Sequence, residues 1–225
     1  MGVMIGLFTK TLHSISRKKL IVLMALCGFL AVVVVFLLVG GLTWLTANMV
    51  TIEQGWLDTT INWIVGIIFG VGGWFMLPVL VILISGVFQE ITISLVEKAD
   101  YPAKIRESSP SFWEDLRHDI LFVLKALALN LLILPFYLVG IGFLLSIALN
   151  TYLLGREFFE GAAGYHLGKP KARELGRRHK KIVYSSGLVL TLLTLVPVAN
   201  LFVPIIAIVW MVHVYHHLSV NKQSE

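Results

Sequence analysis

The sequence predicts an all-α integral membrane protein with two transmembrane helices and two re-entrant helical hairpins that are broken at Pro and Gly residues. Of its 225 residues, 57% are hydrophobic and only 14% are charged, against roughly 25% charged in ordinary soluble chains. Four runs, which together make up more than half of the chain, carry no Asp, Glu, Lys or Arg: 20–52, 59–89, 126–155 and 182–221. Because about 20 apolar residues suffice to cross a bilayer, this composition argues against a soluble enzyme or a secreted disulfide scaffold.

The charged residues between these runs predict the orientation. Residues 1–19 carry four Lys/Arg and no acid, 90–125 carry five Lys/Arg, and 156–181 carry eight, whereas the loop 53–58 carries none. Cytoplasmic segments are enriched in Lys and Arg, so we expect both termini in the cytoplasm and the loop 53–58 outside. This placement accounts for the net charge of +5 without a nucleic-acid partner.

The first two runs have the features of conventional spans. We predict transmembrane helices at 19–47 and 59–88, within a single membrane domain that covers residues 1–225. Tryptophans flank the outer loop, as in the aromatic belts of membrane proteins: Trp44, Trp56 and Trp63. The only cysteine, Cys27, lies in the first run, so no internal disulfide can form.

The last two runs are interrupted, and we predict hairpins at 111–168 and 180–219. The first break contains Pro135, Gly140 and Gly142, and the second contains Pro197, Asn200 and Pro204. The second break divides the fourth run into two short apolar arms, 182–196 and 205–218. Arms of this length reach about 22 Å, short of the roughly 30 Å hydrocarbon core.

Two full-length helix pairs remain the alternative, above all for the first hairpin, because Ser111–Leu134 is long enough to span. In the hairpin interpretation, half-helices that begin at Gly142 and Pro204 would direct free backbone N–H groups into the membrane, where such helix N-termini can bind anions. In the other interpretation, the prolines only bend helices of a packed bundle.

The polar residues of the runs then define candidate sites. We assign an anion pathway to Gly140, Gly142, Asn150, Asn200 and Pro204. A cytoplasmic basic mouth is assigned to Lys18, Lys19, Arg177 and Arg178, whose charge would raise the local anion concentration. No ionisable Asp, Glu or Lys lies inside the uncharged runs, which argues against a proton relay.

A polar stripe follows helical spacing where the third run ends. It contains Asn150, Glu157, Glu160 and Gly164, and Arg156 can pair with Glu160 at i+4. The stripe is either a pore entrance or an exposed helix end with one salt bridge.

Three histidines share one helix face near the end of the fourth run: His213, His216 and His217. Because no acid or cysteine is close to them in sequence, we interpret them as interfacial anchors and predict no metal and no cofactor. We also predict no enzyme, since neither a Walker A loop nor a G-x-S-x-G, H-E-x-x-H or C-x-x-C motif occurs.

Several of these segments are similar to those of one family. The tip 196–204 (VPVANLFVP) looks like a Pro-x-x-Asn-x-x-x-Pro hairpin tip, 135–142 is similar to an earlier Pro/Gly-Ile-Gly tip, and 152–160 follows it as in that family. With the basic pair Lys18-Lys19, the chain resembles the bacterial CysZ-type sulfate permeases within the etoposide-induced protein 2.4 domain family. The resemblance implies a bacterial inner-membrane homo-oligomer with two spans and two partly penetrating hairpins, which admits sulfate for cysteine synthesis.

Two functions therefore stand as hypotheses. The first is a permease or channel for a small inorganic anion, with sulfate as the expected substrate and the lipid bilayer and other copies of the chain as partners. The second is a non-transporting membrane interaction or assembly protein that would use the polar segment 156–181 for docking.

Overall fold

The computed structural model describes residues 2–49, 60, 63–64, 67, 84, 86–104 and 112–221. This described part is all-helical and contains no strand. The predicted second span, 59–88, and the loop 53–58 lie almost wholly outside it. In chain order the helices are α1 (Gly2–Ile15), α2 (Lys18–Met49), α3 (Gln89–Asp100), α4 (Phe112–Leu138), α5 (Gly142–Leu167), α6 (Lys169–Arg178), α7 (Lys180–Thr194), α8 (Pro197–Asn200) and α9 (Val203–Asn221), with a 3₁₀ turn at Pro102–Lys104.

Two of the described helices are long and apolar enough to cross a membrane. They are Lys18–Gly41 in α2, with mean hydropathy 3.2, and Trp113–Leu138 in α4, with mean hydropathy 2.1. The first overlaps the predicted span 19–47, which stays a prediction. None of the α4 window is buried inside the protein, so its apolar side chains are free to face lipid, unlike those of a core helix in a soluble protein. Residues 22–87 form a compact unit of their own, apart from the unit of 1–21 and 88–225.

The first hairpin turns at the C-terminal end of the predicted break, which contains Pro135, Gly140 and Gly142. Pro135 itself does not end the helix, because α4 continues through this residue to Leu138. A proline removes one backbone hydrogen bond from a helix, and membrane helices tolerate this loss. The chain reverses instead at Gly140, whose φ of 82° suits a residue without Cβ. Gly142 then begins α5 so close to Tyr137 that a Cβ would lie 2.6 Å from its backbone nitrogen.

The second hairpin has unequal arms. α7 has 15 residues, whereas α9 has 19 residues, which corresponds to about 28 Å. The helix of the second arm extends beyond the apolar stretch 205–218 at both ends, from Val203 to Asn221. α9 begins at Val203, so Pro204 lies in its first turn, where a missing N–H is tolerated. Nearly all side chains from 203 to 218 are buried, which makes α9 the central helix of its unit.

The two hairpins pack together through glycines. A Cβ on Gly187 of α7 would lie 2.1 Å from the carbonyl oxygen of Thr151 on α5, and a Cβ on Gly155 would lie 2.8 Å from the carbonyl oxygen of Val183. Small residues at such positions let helix backbones approach closely, as is common between membrane helices. The short helix α6 connects α5 to α7 and packs against both.

The N-terminal segment, which we expected only to be a basic flank of the first span, forms helix α1. Its buried side chains Leu7, Thr11 and Ser14 recur at i, i+4 and i+7, which places them on one face. Phe8 of α1 also makes an edge contact with Trp210 of α9, with ring centroids 6.2 Å apart. α1 is therefore anchored to the central helix.

A chain of hydrogen bonds reinforces this anchor. The Ser14 hydroxyl donates to Asp100 Oδ2 (2.8 Å), so it must accept from His213 Nε2 (3.1 Å). His213 Nδ1 then accepts from the Tyr101 hydroxyl (2.8 Å). Burial, and then the charges of nearby acids, raise the pKa of Tyr101 to about 12, which keeps this donor proton in place. Arg17 completes the chain with a bidentate pair to Asp100.

Replacing Asp100 with Asn is expected to lower the free energy of unfolding by about 1 kcal/mol at neutral pH, because the partly exposed Arg17 loses its partner. Burial alone would raise the pKa of Asp100, but hydrogen bonds from Arg17 and Ser14 bring it below the ordinary value. The wild-type protein therefore has this stabilisation above the ordinary carboxyl pKa and loses it as the pH falls through the lower folded-state pKa. Thermal unfolding in detergent across this range measures it; equal acid sensitivity of Asp100→Asn and wild type would contradict it.

Candidate functional site

A basic cavity lies between α5, α6 and α7, next to α4. Its volume is about 260 Å³, several times the roughly 30 Å³ that one water molecule occupies. The lining combines four basic groups with one acid and two phenols: Lys125, Tyr152, Arg156, Phe159, Glu160, Arg173, Gly176, Arg177, Val183 and Tyr184. A hydrated small anion fits both the size and the sign of this cavity.

Arg156 is the most enclosed of the basic groups. Its Nε donates to Glu160 Oε1 at 2.7 Å, and the two side chains are only 8% and 6% exposed. The guanidinium lies over the Phe122 ring of α4, 4.5 Å from its centroid, and Nη1 donates to the Tyr152 hydroxyl at 3.3 Å. These contacts fix the guanidinium plane at the wall of the cavity.

Glu160 is engaged on both oxygens. Its Oε2 lies 2.6 Å from Nε2 of His118 on α4, and since a carboxylate only accepts, this nitrogen must carry the proton. Glu160 thus neutralises Arg156 and is the single acid among the described residues that line the cavity. The positive charges of Lys125, Arg173 and Arg177 are then available to attract an anion that enters the cavity.

The position of Lys125 shows where along the first hairpin the cavity lies. Its Nζ donates to the Tyr152 hydroxyl at 3.2 Å and lies 5.4 Å from the centroid of that ring. This contact and the pairing of His118 with Glu160 show that α4 and α5 run antiparallel. Lys125 is the last charged residue before the uncharged run 126–155, so the cavity lies where that run begins.

Only one of the four residues of the predicted basic mouth lines the cavity. Arg177 lines the cavity, whereas Arg178 faces outward and pairs with Glu174, both side chains being 64% exposed. Lys18 and Lys19 are exposed on the first turn of α2 and do not line the cavity. Of the four residues, only Arg177 belongs to the basic site.

None of the five residues of the predicted anion pathway lines this cavity. Gly140 is in the exposed turn after α4, Gly142 is buried at the start of α5, and Asn150 is exposed on α5. Asn200 ends α8 and is half-buried, and Pro204 is buried in the first turn of α9. They mark the tips and one arm of the hairpins, and their role in anion passage stays a prediction.

Sequence reasoning found part of the site. The pair Arg156–Glu160 is confirmed, but it is buried against α4, so the interpretation as an exposed helix end was wrong. Lys125, Tyr152 and His118 were missed. Lys125 could have been recognised from the sequence as a candidate functional residue. It lies at the edge of an uncharged run, where a charged side chain is costly in free energy.

The described side chains that could hold a metal ion lie elsewhere. Glu97, His166 and His216 each offer one ligand atom, all within 4.8 Å of one another. His213 and His216 are 1% exposed, so the expectation that these histidines anchor the chain at the interface was wrong.

Comparison with known families gives one match. The model of the family described as sulfate transporter CysZ/etoposide-induced protein 2.4 matches residues 7–204, which include part of α1, most of the other described helices and the whole basic cavity. No curated protein and no solved structure matches the chain with significance. The match covers well over half of the chain, so this protein belongs to the family of the sulfate transporter CysZ and etoposide-induced protein 2.4.

Proposed function

We propose that this protein is an inner-membrane permease or channel for a small inorganic anion, with sulfate as the substrate and cysteine biosynthesis as its destination. The observation that carries the proposal is the basic cavity, in which Lys125, Arg173 and Arg177 face one space while Glu160 is occupied by Arg156. Family membership supports the substrate class. The chemistry required is electrostatic attraction and desolvation of an anion, and no catalytic step is needed.

The geometry of the first hairpin supports a re-entrant arrangement. From Lys125 to the turn at 139–141, α4 contributes only the uncharged stretch 126–138. This stretch reaches about 20 Å, short of the roughly 30 Å core. If Lys125 and the basic cavity lie at the cytoplasmic boundary, the tip at Gly140 ends inside the bilayer. Both termini are then cytoplasmic, and the anion passes between the cavity and the tips.

The exposed apolar surface supports assembly into a homo-oligomer. Along α4 and the start of α5, large apolar side chains are exposed, among them Leu131, Leu138 and Phe143. In a bilayer this surface contacts lipid or another copy of the chain. Backbone at the tips needs protein or water around it at membrane depth, and neighbouring copies would supply this shielding.

The proposal predicts that Lys125→Gln and Arg177→Gln each lower sulfate flux about tenfold at concentrations below saturation. Each removes one charge from the cavity, and a charge-assisted hydrogen bond contributes about 1.5–3 kcal/mol, of which about 1.4 kcal/mol corresponds to a factor of ten. Uptake of radiolabelled sulfate into proteoliposomes measures the effect.

Arg178→Gln is the matched control, because it removes the same charge from the same helix but from an exposed pair with Glu174. We expect its flux to stay within about twofold of wild type, since exposed pairs contribute little.

Asn200→Leu tests the hairpin tips separately and should also reduce flux. Wild-type flux equal to that of empty vesicles, and unchanged by Asn200→Leu, would refute the proposal; a reproducible partner from native membranes would then favour the assembly function.

A further inference from the structure

A second buried polar cluster lies apart from the basic cavity, where α3, α5 and α9 meet. Glu97 Oε1 lies 2.6 Å from His166 Nε2 and 2.8 Å from His216 Nε2. The side chains of Glu97 and His216 are 2% and 1% exposed, and that of His166 is 14% exposed. His166 and His216, which are 69 and 119 positions from Glu97 in the sequence, thus contact the same carboxylate oxygen.

When both imidazoles are neutral, the charge balance of this cluster is incomplete without a cation. Within the described ranges, the ion-pair partners of Glu97 are these two histidines. Neutral imidazoles donate hydrogen bonds to a carboxylate but do not cancel its charge, and a buried uncompensated charge is costly. A divalent cation at the same place would supply the charge and would use the nitrogens in the neutral form that metals require.

The donor set suits a transition metal. Two imidazole nitrogens and one carboxylate oxygen are the ligands of many zinc sites, with metal–ligand distances of about 2.0–2.2 Å. Such distances place tetrahedral ligands about 3.4 Å apart, as follows from the tetrahedral angle. The three ligand atoms all lie within 4.8 Å of one another, so only small side-chain shifts separate them from that arrangement. A zinc ion held by these three ligands would have a fourth position for water.

Neighbouring aromatic rings hold both histidines in place. His166 stacks on Tyr215 with ring centroids 5.2 Å apart and an interplanar angle of 16°. His216 stacks on Tyr101 at 3.9 Å and 18°. Rings that are fixed in this way lose little further freedom when they bind an ion. His216 also borders a cavity of about 330 Å³ next to α1.

We infer that Glu97, His166 and His216 form a binding site for one divalent transition-metal ion of the zinc class, which ties α3 to the two hairpins. The inference replaces the sequence-based expectation of no metal. Of the three histidines on the α9 face, only His216 is a ligand, because His213 bonds to Tyr101 and Ser14 and His217 is outside the cluster. The site is independent of the basic cavity and of the transport proposal.

The test uses the full chain without a polyhistidine tag, purified without chelator, and measures zinc by mass spectrometry. We expect about one zinc per chain in wild type and at least a tenfold lower content in His166→Gln. This change keeps a polar side chain at the least buried ligand position. His217→Gln, a change one residue from a ligand on the same helix, should retain the metal.

Two further measurements on wild-type protein keep the inference falsifiable if a variant does not fold. Co²⁺ added to metal-stripped protein should produce visible absorption bands of a low-coordinate site, and Zn²⁺ should raise the unfolding temperature. Folded wild type that takes up neither ion would overturn the inference. Undiminished zinc in folded His166→Gln would overturn it as well.

Discussion

Glu160→Gln is expected to destabilise the protein by about 3 kcal/mol, because it leaves Arg156 as a buried charge without a counter-charge. The guanidinium packs against Phe122 and Tyr152 and is only 8% exposed, so water replaces the lost carboxylate poorly. His118 loses its charged acceptor at the same time. Thermal unfolding of the purified protein in detergent would show the loss as a lower midpoint.

Two comparisons separate this explanation from a general intolerance of α5. Glu174→Gln removes an acid that is also paired with an arginine at i+4, but in an exposed pair, and should cost no more than about 0.5 kcal/mol. Replacing Arg156 with Met and Glu160 with Leu together should recover most of the stability, because an apolar pair of similar volume carries no desolvation penalty. A double variant as unstable as Glu160→Gln would contradict the buried-charge explanation.

Gly187→Ala is expected to cost about 3 kcal/mol, at the upper end of the range for overpacking. The added methyl would lie 2.1 Å from the Thr151 carbonyl oxygen and 2.8 Å from the Gly155 Cα. Both are backbone atoms, so no side-chain rotation relieves the clash and α5 and α7 must separate. The same unfolding measurement, with circular dichroism to show that helix content is retained, checks this prediction.

Gly6→Ala is the matched control for this change. Gly6 also lies inside a helix, but an added Cβ there meets nothing within 4 Å. Alanine has the higher helix propensity, so this variant should be neutral or up to about 1 kcal/mol more stable. If Gly187→Ala behaved like Gly6→Ala, the close glycine contact between the hairpins would not exist as described.

The features that sequence reasoning predicted well are those with local signals. The charge-free run 20–52 predicted the first span, and Gly140 and Asn200 predicted the turns, because these depend on neighbours in the chain. The pair Arg156–Glu160 followed from helical spacing. Its burial did not, since burial depends on Phe122 and His118 of another helix.

The features that were missed depend on contacts between distant positions. Lys125 meets Tyr152 only after the hairpin closes, and Glu97 meets His216 across 119 positions. Without such partners, a single histidine face on α9 carries no sign of a nearby acid. Helix α1 was missed because its apolar face is short and gains stability only through packing on α9.

The contact between α1 and α9 also has a consequence for biosynthesis. Ser14 and His213 are 199 positions apart, and a ribosome that adds about 5–20 residues per second needs roughly 10–40 s to connect them. During that time α1 has its apolar face but no α9 to cover it, and an amphipathic helix of this kind rests at the membrane surface. A segment that is made well before its partner is therefore among the last to reach its final position.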